Sequence, residues 1–396
     1  MLLLSSFYKV NTMNLSKEII EWRHHLHTIP EIGFEEAVTA DFIANKLQEF
    51  GIEVVRGIGK TGMVGILKRG TSTKSIALRA DFDAIPVEEQ NDFCYASKNS
   101  GMMHGCGHDG HISMLLGAAY QLSQQDDFDG TVYFVFQPAE EQGTGAKAMI
   151  EDGLFTRWKM DSIYAMHNLP GLPVGDFLIS PSSVMASENH FKIEVLADGG
   201  HAAMPHLGSD PVIAACNIVS ALQSIITRNL DAIHEPAVLS VTDIKTNGGA
   251  NVIPTVVTLS GDTRCFTDET QEYIKQAMER VVSGVTSAAG LSYNYEFSNC
   301  VLSTVNDAST SAIAVRVAKK VVGESKVNDN CKPYCISEDF SFMQREVPSC
   351  YMLVGNGLAG EKGGTALHLP HYDFNDDLLL IGANFWVELV RDQLPK

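Results

Sequence analysis

Long apolar runs are missing from this 396-residue chain, and no stretch of about 18 apolar residues predicts a membrane span. Basic residues are scarce. Lys and Arg total 29 against 48 Asp and Glu, a formal charge of −19. That balance argues against nucleic acid and anionic membrane partners. It leaves room for a small anionic substrate, which one local Arg can capture. Cysteine is sparse too: eight in this length do not make a disulfide framework. Cys331 and Cys335 form a C-x3-C pair, off the usual C-x2-C spacing, and read as reduced thiols in a cytoplasmic protein. The apolar run Met1 to Leu4 is too short for a signal core, and no basic residues precede it. A helical pattern starts just after Met13, so residues 1–12 are expected to be a loose extension. Repeats and low-complexity segments are absent from the sequence. With 45% hydrophobic and 19% charged residues, the chain is long enough for two domains.

What the chain does have is the stretch Gly101 to His111, GMMHGCGHDGH. It gathers His104, Cys106, His108, Asp109 and His111. Thiolate, imidazole and carboxylate are the side chains that bind borderline transition metals. If the segment is extended, Cys106 and His108 point the same way. The plain alternative is a His-rich loop with one buried thiol. It is less economical, because further ligand types recur at strand ends: Glu140-Glu141, His167 and His368.

The periodicity places these residues. Leu15 to Thr28 predicts an amphipathic helix stopped by Pro30. His24, His25 and His27 lie on it and read as a solvated face. Glu36 to Phe50 is a second helix, closed by Gly51. Ile52–Val55 and Met63–Leu67 read as strands. SIALRA (75–80) is a buried strand closed by Asp81-Phe82-Asp83. Carboxylates there lie where open α/β sheets build sites. Ile112–Leu122 is a helix. TVYFVF (131–136) is a buried strand ending in Gln137-Pro138-Ala139-Glu140-Glu141. Two acids at that junction can divide the work, one on metal and one as base; helix-dipole acids are the alternative. Ser162–Met166 is a short strand leading to His167. From 185 to 298 the order reads β-α-β-β-α-β, a ferredoxin-like split unit. That segment is expected to be an inserted domain, with residues 13–184 and 299–396 forming the other. Asp307–Val322, Cys350–Val354 and Asn375–Leu394 read as helix, strand and helix.

Cys106, His108, Glu141, His167 and His368 make five ligands from four segments. Five exceed one tetrahedral zinc with an open position. They suit two ions with shared bridging groups, which activate a water and polarise a carbonyl. Glu140 is the candidate base, and Asp83 or Asp109 would orient His ligands.

At this point the sequence resembles the M20 metallo-aminohydrolases, in the branch of hippurate hydrolases, indole-acetyl-amino-acid hydrolases and N-acetyl-diaminopimelate deacetylases. The motifs are RHHLHTIPEIGFEE, LRADFDAIPVEE, MHGCGHDGH, FQPAEEQGTGAKAMIEDGLF, HNLPGLPVG, GGHAAMPH, NVIP, GDTRCF, SEDFSF and LHLPHYDFND, and they cover the chain from about Leu15. The resemblance implies an α/β fold: a zinc-peptidase-like catalytic domain with a mixed central sheet, plus a ferredoxin-like satellite that commonly dimerises. A homodimer or homotetramer is thus implied. It implies two divalent ions, manganese, zinc, nickel or cobalt, on Cys106, His108, Glu141, His167 and His368, with Glu140 as base. His201 matches the satellite histidine that steadies the oxyanion; Asn251 and Arg264 match substrate-holding positions. Cys106 marks this branch, since relatives carry aspartate there. His371 is an extra histidine, read as a rim residue. The implied activity is hydrolysis of N-acyl amino acids, hippurate foremost. Rivals are a deacetylase or dipeptidase on the same scaffold, a non-catalytic metal-binding protein, and a thiol redox protein using Cys331 and Cys335.

Overall fold

The computed structural model describes the backbone of residues 2–396 and the side chains from Leu15 onward. The expected loose extension over residues 1–12 falls outside the fully described residues. The chain forms two compact units: Met1–Ser182, Asn306–Lys332 and Phe342–Lys396 in the larger, Ser183–Val305 and Pro333–Ser341 in the smaller.

The larger unit begins with helices α1 (Leu2–His27) and α2 (Ala37–Glu49) and strands β1 (Glu53–Arg56), β2 (Met63–Arg69) and β3 (Ser75–Asp81). Helix α3 (His108–Ser123), β4 (Gly130–Gln137), α4 (Gly145–Glu151) and β5 (Ile163–Pro170) follow. Its mixed eight-stranded sheet has the order β1-β2-β4-β3-β5, then Ser349–Gly357, Phe177–Leu178 and Val327–Asn328. Strands β4, β3, β5 and Ser349–Gly357 run parallel, while β1 and β2 join antiparallel. All seven residues of β3 are buried. That is why its sequence is nearly continuous in apolar residues rather than alternating. Ile19, Leu26, Ile112, Leu115, Leu116, Trp386 and Leu389 from α1, α3 and the helix Leu379–Gln393 share the core with Leu78 and Phe134. Each such side chain contributes about 1.5–3 kcal/mol of burial free energy.

Two local expectations change. Helix α3 starts at His108, not Ile112. His108 is therefore helical, and an extended i, i+2 relation does not align it with Cys106. Instead Gly107, at φ 91°, turns the chain between them. A Cβ there would also lie 2.3 Å from Asn168 Oδ1 and 2.5 Å from the Tyr372 hydroxyl, so only glycine fits. Strand β5 runs on to Pro170, so His167 sits within it, paired with Leu353, rather than beyond its end.

The smaller unit holds a four-stranded antiparallel sheet in the order Val238–Thr246, Val256–Arg264, Glu188–Leu196, Ser292–Val301. Helices Pro211–Asn229 and Asp268–Ala289 intervene in sequence. Chain order and spatial order together give two interleaved β-α-β turns, the split arrangement of ferredoxin-like folds. Asp210 caps the first helix through the Val212 N–H, and Pro211 follows at its first position. Pro211–Asn229 is long and apolar enough to cross a membrane by length and composition alone. Its Ala214, Ile218, Leu222 and Ile225 lie in the core of this unit against Ile193 and Leu259. The unit also takes in Pro333–Ser341, which returns from far along the chain.

Candidate active site

Six of the residues singled out from sequence meet in the larger unit, beyond the C-terminal ends of β3 and β4 and along β5. Cys106 Sγ is 3.3 Å from His167 Nε2. His108 Nε2 is 3.9 Å from Glu140 Oε2 and 3.9 Å from Glu141 Oε1. His368 Nε2 is 3.2 Å from Glu141 Oε1. Cys106, His108 and His167 are buried. Two non-glycine residues here have left-handed backbones, Ala139 at φ 48° and His368 at φ 64°. Such conformations persist only where the surroundings impose them. The His368 N–H donates to the Gly105 carbonyl at 2.8 Å, pinning this histidine to the Cys106 loop.

Ring orientation follows from the hydrogen bonds. His108 Nδ1 lies 2.9 Å from the Asp83 carbonyl oxygen and 3.2 Å from Asp83 Oδ1, so Nδ1–H donates. His167 Nδ1–H likewise donates to the Asn168 carbonyl at 2.7 Å. Both rings thereby turn Nε2 inward, the nitrogen that a metal-ligating imidazole presents once it carries no proton. His108 Nε2 is buried without a hydrogen-bond partner. Cys106–His108–His167, Cys106–Glu141–His368 and His108–Glu140–Glu141 are three of the groups, among the described residues, whose donor atoms lie within 4.8 Å of one another. Cys106 belongs to two of them. An orphaned imidazole nitrogen and a mixed S, N, O donor set fit borderline divalent ions.

The electrostatics show what such ions would displace. Burial disfavours charge on His108, but Asp81, Asp83 and Glu141 outweigh it and raise its pKa to about 10. Burial pushes the Cys106 thiol well above its usual range, and Glu141 and Glu140 push it further. Burial, with His111 nearby, lowers His167 to about 3. Glu141 falls below the usual carboxylate value: burial opposes this, but the hydrogen bond from His368 and the His108 charge prevail. Protons on Cys106 and His108 thus stand where metal charge would.

A buried polar chain lies behind the candidate ligands, and the sequence shows little of it. Arg79 Nη1 donates to Asp81 Oδ2 at 2.6 Å, and His111 Nδ1 meets Asp81 Oδ1 at 2.6 Å. His111 Nε2 accepts from the Asn168 N–H at 3.1 Å, and Asn168 Nδ2 donates to the Tyr372 hydroxyl at 2.6 Å. The signal was present in the Asp81–Asp83 spacing, of which only Asp83 was carried forward.

Two readings are corrected. Asp109 orients none of the five candidate ligands; it bonds His27 Nδ1 at 2.8 Å and lies 3.3 Å from Arg23 Nε. His27 accordingly is no part of a solvated face: its side chain is fully buried between Asp109 and Glu89. His24 is partly exposed and His25 exposed, closer to expectation. His201, Asn251 and Arg264 belong to the smaller unit. His201 pairs with Val252, next to Asn251, whose carbonyl accepts the Ala202 N–H at 3.0 Å. Arg264 Nε meets Asp262 at 2.9 Å, and its Nη1 meets Glu188 at 3.0 Å.

A mixed α/β sheet with a thiol–imidazole–carboxylate nest beyond its parallel strands defines a metal-dependent hydrolase. Residues 77–392 match peptidase family M20/M25/M40, and the chain belongs to that family. It is 38% identical to a hippurate hydrolase of Campylobacter jejuni over 96% of this chain and 100% of that protein. It is 35% identical to an N-acetyl-L-cysteine deacetylase of Bacillus subtilis over 96% of this chain and 89% of that one. Among solved structures, a dinuclear metal-binding M20 peptidase of Bacillus subtilis superposes with a TM-score of 0.84 at 30% identity, covering 96% of this chain and 98% of that one.

Proposed function

We propose that the protein hydrolyses the amide bond of N-acyl amino acids, hippurate foremost, releasing a carboxylic acid and a free amino acid. Cys106, His108, Glu141, His167 and His368 would hold two divalent ions, manganese, zinc, nickel or cobalt. Bound there, such ions lower the pKa of a water and polarise the acyl carbonyl. Glu140 takes the proton of the attacking water as the new C–O bond forms, then returns it to the amine nitrogen as the C–N bond breaks. Asp83 and the Asn168 carbonyl keep the His108 and His167 rings aimed inward. The observation that carries this reading is Glu140 beside Glu141, with its Oε2 3.9 Å from the orphaned His108 Nε2.

His201 supplies a donor to the developing oxyanion, while Asn251 and Arg264 hold the substrate. His201 is exposed and its Nδ1 accepts the Ala203 N–H at 3.1 Å, which leaves the proton on Nε2. The hippurate hydrolase relative supports the benzoyl substrate; the deacetylase relative supports an acetyl one as the second reading. Eight free cysteines fit a cytoplasmic setting. Exposed Leu207, Ile213 and Ile244 in the smaller unit support self-association into a homodimer or homotetramer.

The test is to strip the protein with a chelator, restore each metal, and follow amino acid release from hippurate, N-acetyl amino acids and dipeptides. Activity that returns with metal is expected, and the best substrate decides between the readings. No release from any substrate, with two ions bound per chain, would overturn the proposal.

A further inference from the structure

Glu36 is fully buried, yet it ligates nothing and does not cap its own helix. It stands just before α2, where an acid ordinarily turns to the first helical N–H groups. Those groups are already served. Glu31 Oε1 accepts from Val38 N at 3.1 Å and Oε2 from Thr39 N at 2.8 Å. The Glu36 carboxylate turns the other way. Its Oε1 accepts the Ala139 N–H at 3.0 Å, and its Oε2 accepts the Thr61 hydroxyl at 2.6 Å.

Ala139 immediately precedes Glu140. It is buried and left-handed, a backbone that a residue with a Cβ adopts only under constraint. On the far side of Glu140, the Glu141 N–H donates to Asp83 Oδ2 at 3.0 Å. The N–H groups of both neighbours of Glu140 are therefore gripped by buried carboxylates. Gly33, three residues before Glu36, completes the cradle. Its carbonyl accepts Gln142 Nε2 at 3.2 Å, and a Cβ on it would lie 2.8 Å from both the Cα and the Cβ of Ala139.

We propose that Glu36 is a positioning residue for the reaction: with Asp83 it clamps the strained turn on either side of Glu140 and so sets the direction of the base. The inference rests on Glu140 being that base. Small displacements of a reacting group cost large factors in rate, about 10²-fold for 1 Å. Loss of the clamp should therefore lower kcat and leave substrate binding and metal content in place.

The experiment compares Glu36→Ala, Glu36→Asp and Glu36→Gln with wild type for kcat, KM, bound metal and thermal midpoint. Glu36→Asp keeps the charge but withdraws the acceptor by about one carbon–carbon bond. Glu36→Gln keeps an acceptor oxygen at full reach. The expected result is a kcat loss of about tenfold or more in Glu36→Ala and Glu36→Asp, with KM and two ions per chain unchanged, and recovery to within about threefold in Glu36→Gln. If Glu36→Ala does not fold, Glu36→Asp decides. Wild-type kcat in Glu36→Asp, or Glu36→Gln as impaired as Glu36→Asp, would overturn the proposal. Glu140→Gln, assayed alongside, separates the two readings. If it keeps turnover, the base assignment fails; if it is inactive while Glu36→Asp is normal, only the clamp fails.

Discussion

Metal uptake by the stripped protein should release protons, and the structure shows which groups lose them. Near neutral pH Cys106 is a thiol, because burial and then Glu141 and Glu140 hold its pKa well above the usual range. His108 carries a second proton, its pKa raised to about 10 by Asp81, Asp83 and Glu141 against the effect of burial. His167, lowered to about 3, carries none to lose, while the hydrogen bond to Glu141 raises His368 and adds its proton to the count as pH falls. A ligand must be deprotonated to bind metal, so affinity rises with pH, by about two decades per unit while both protons are in place. That slope is about 2.7 kcal/mol per pH unit. Cys106→Ser removes one ionising ligand from two of the donor groups at once. Its proton release should fall by about one, and its affinity should drop by more than the roughly 10–100-fold typical of losing an outer partner. Calorimetric zinc titrations in buffers of different ionisation enthalpy read the proton number directly. Wild type releasing no protons, or Cys106→Ser releasing the same number, would refute the assignment of Cys106 and the charge balance argued for the site.

Other outcomes follow from the same geometry. Glu140→Gln should retain both ions and lose about 10²- to 10⁴-fold in kcat; full turnover would remove Glu140 as base. His201→Ala should keep its metal and lose about 10²- to 10³-fold in kcat, and an unchanged rate would show that the smaller unit does not serve the oxyanion. His27 should make stability depend on pH. Burial opposes its charge, but Asp109 and Glu89 raise its pKa from 6.5 to about 9. Its contribution is thus complete below about pH 6.5 and lost as pH rises through about 9. Denaturant melts at about pH 6 and about pH 10 should differ by an amount on the order of 3 kcal/mol that is absent in His27→Asn. Equal pH dependence in both proteins would count against the buried His27–Asp109 pair.

The site was legible where chemistry and chain position coincide. Cys106, Glu140, Glu141 and His368 each stand at a turn or strand end, and local patterning finds such junctions. Partnerships between distant segments were not legible. Helical periodicity showed that His27 shares a face with polar neighbours; it did not show that Asp109, 82 residues on, would close over that face. Glu36 opens a helical pattern, and nothing local to it shows that Glu31 serves the first helical N–H groups in its place. Two-residue strands such as Phe177–Leu178 and Val327–Asn328 are too short for any period to register. The return of Pro333–Ser341 to the smaller unit is a long-range contact, and sequence order assigned it to the wrong body.

Arg264 shows how a local motif and its neighbourhood can compete. A guanidinium is well suited to grip a substrate α-carboxylate with two parallel donors. Here Nε is taken by Asp262 and Nη1 by Glu188, while Nη1 also donates to Ser337 at 3.3 Å. Ser337 in turn donates to Glu188 Oε2 at 2.8 Å, so the cluster pins the returning segment Pro333–Ser341. A substrate carboxylate would be a third acid on one guanidinium. The side chain is 23% exposed, so solvent weakens the existing pairs and leaves them displaceable. The two roles predict different kinetics for Arg264→Lys, which keeps the charge but loses the fork. A carboxylate grip raises KM for hippurate by about tenfold and leaves KM for its carboxamide analogue unchanged. A structural pin alone lowers the thermal midpoint and shifts the two KM values equally or not at all. The ratio of KM values for the acid and the amide is therefore the decisive quantity, and a ratio identical in wild type and Arg264→Lys would end the carboxylate-grip assignment.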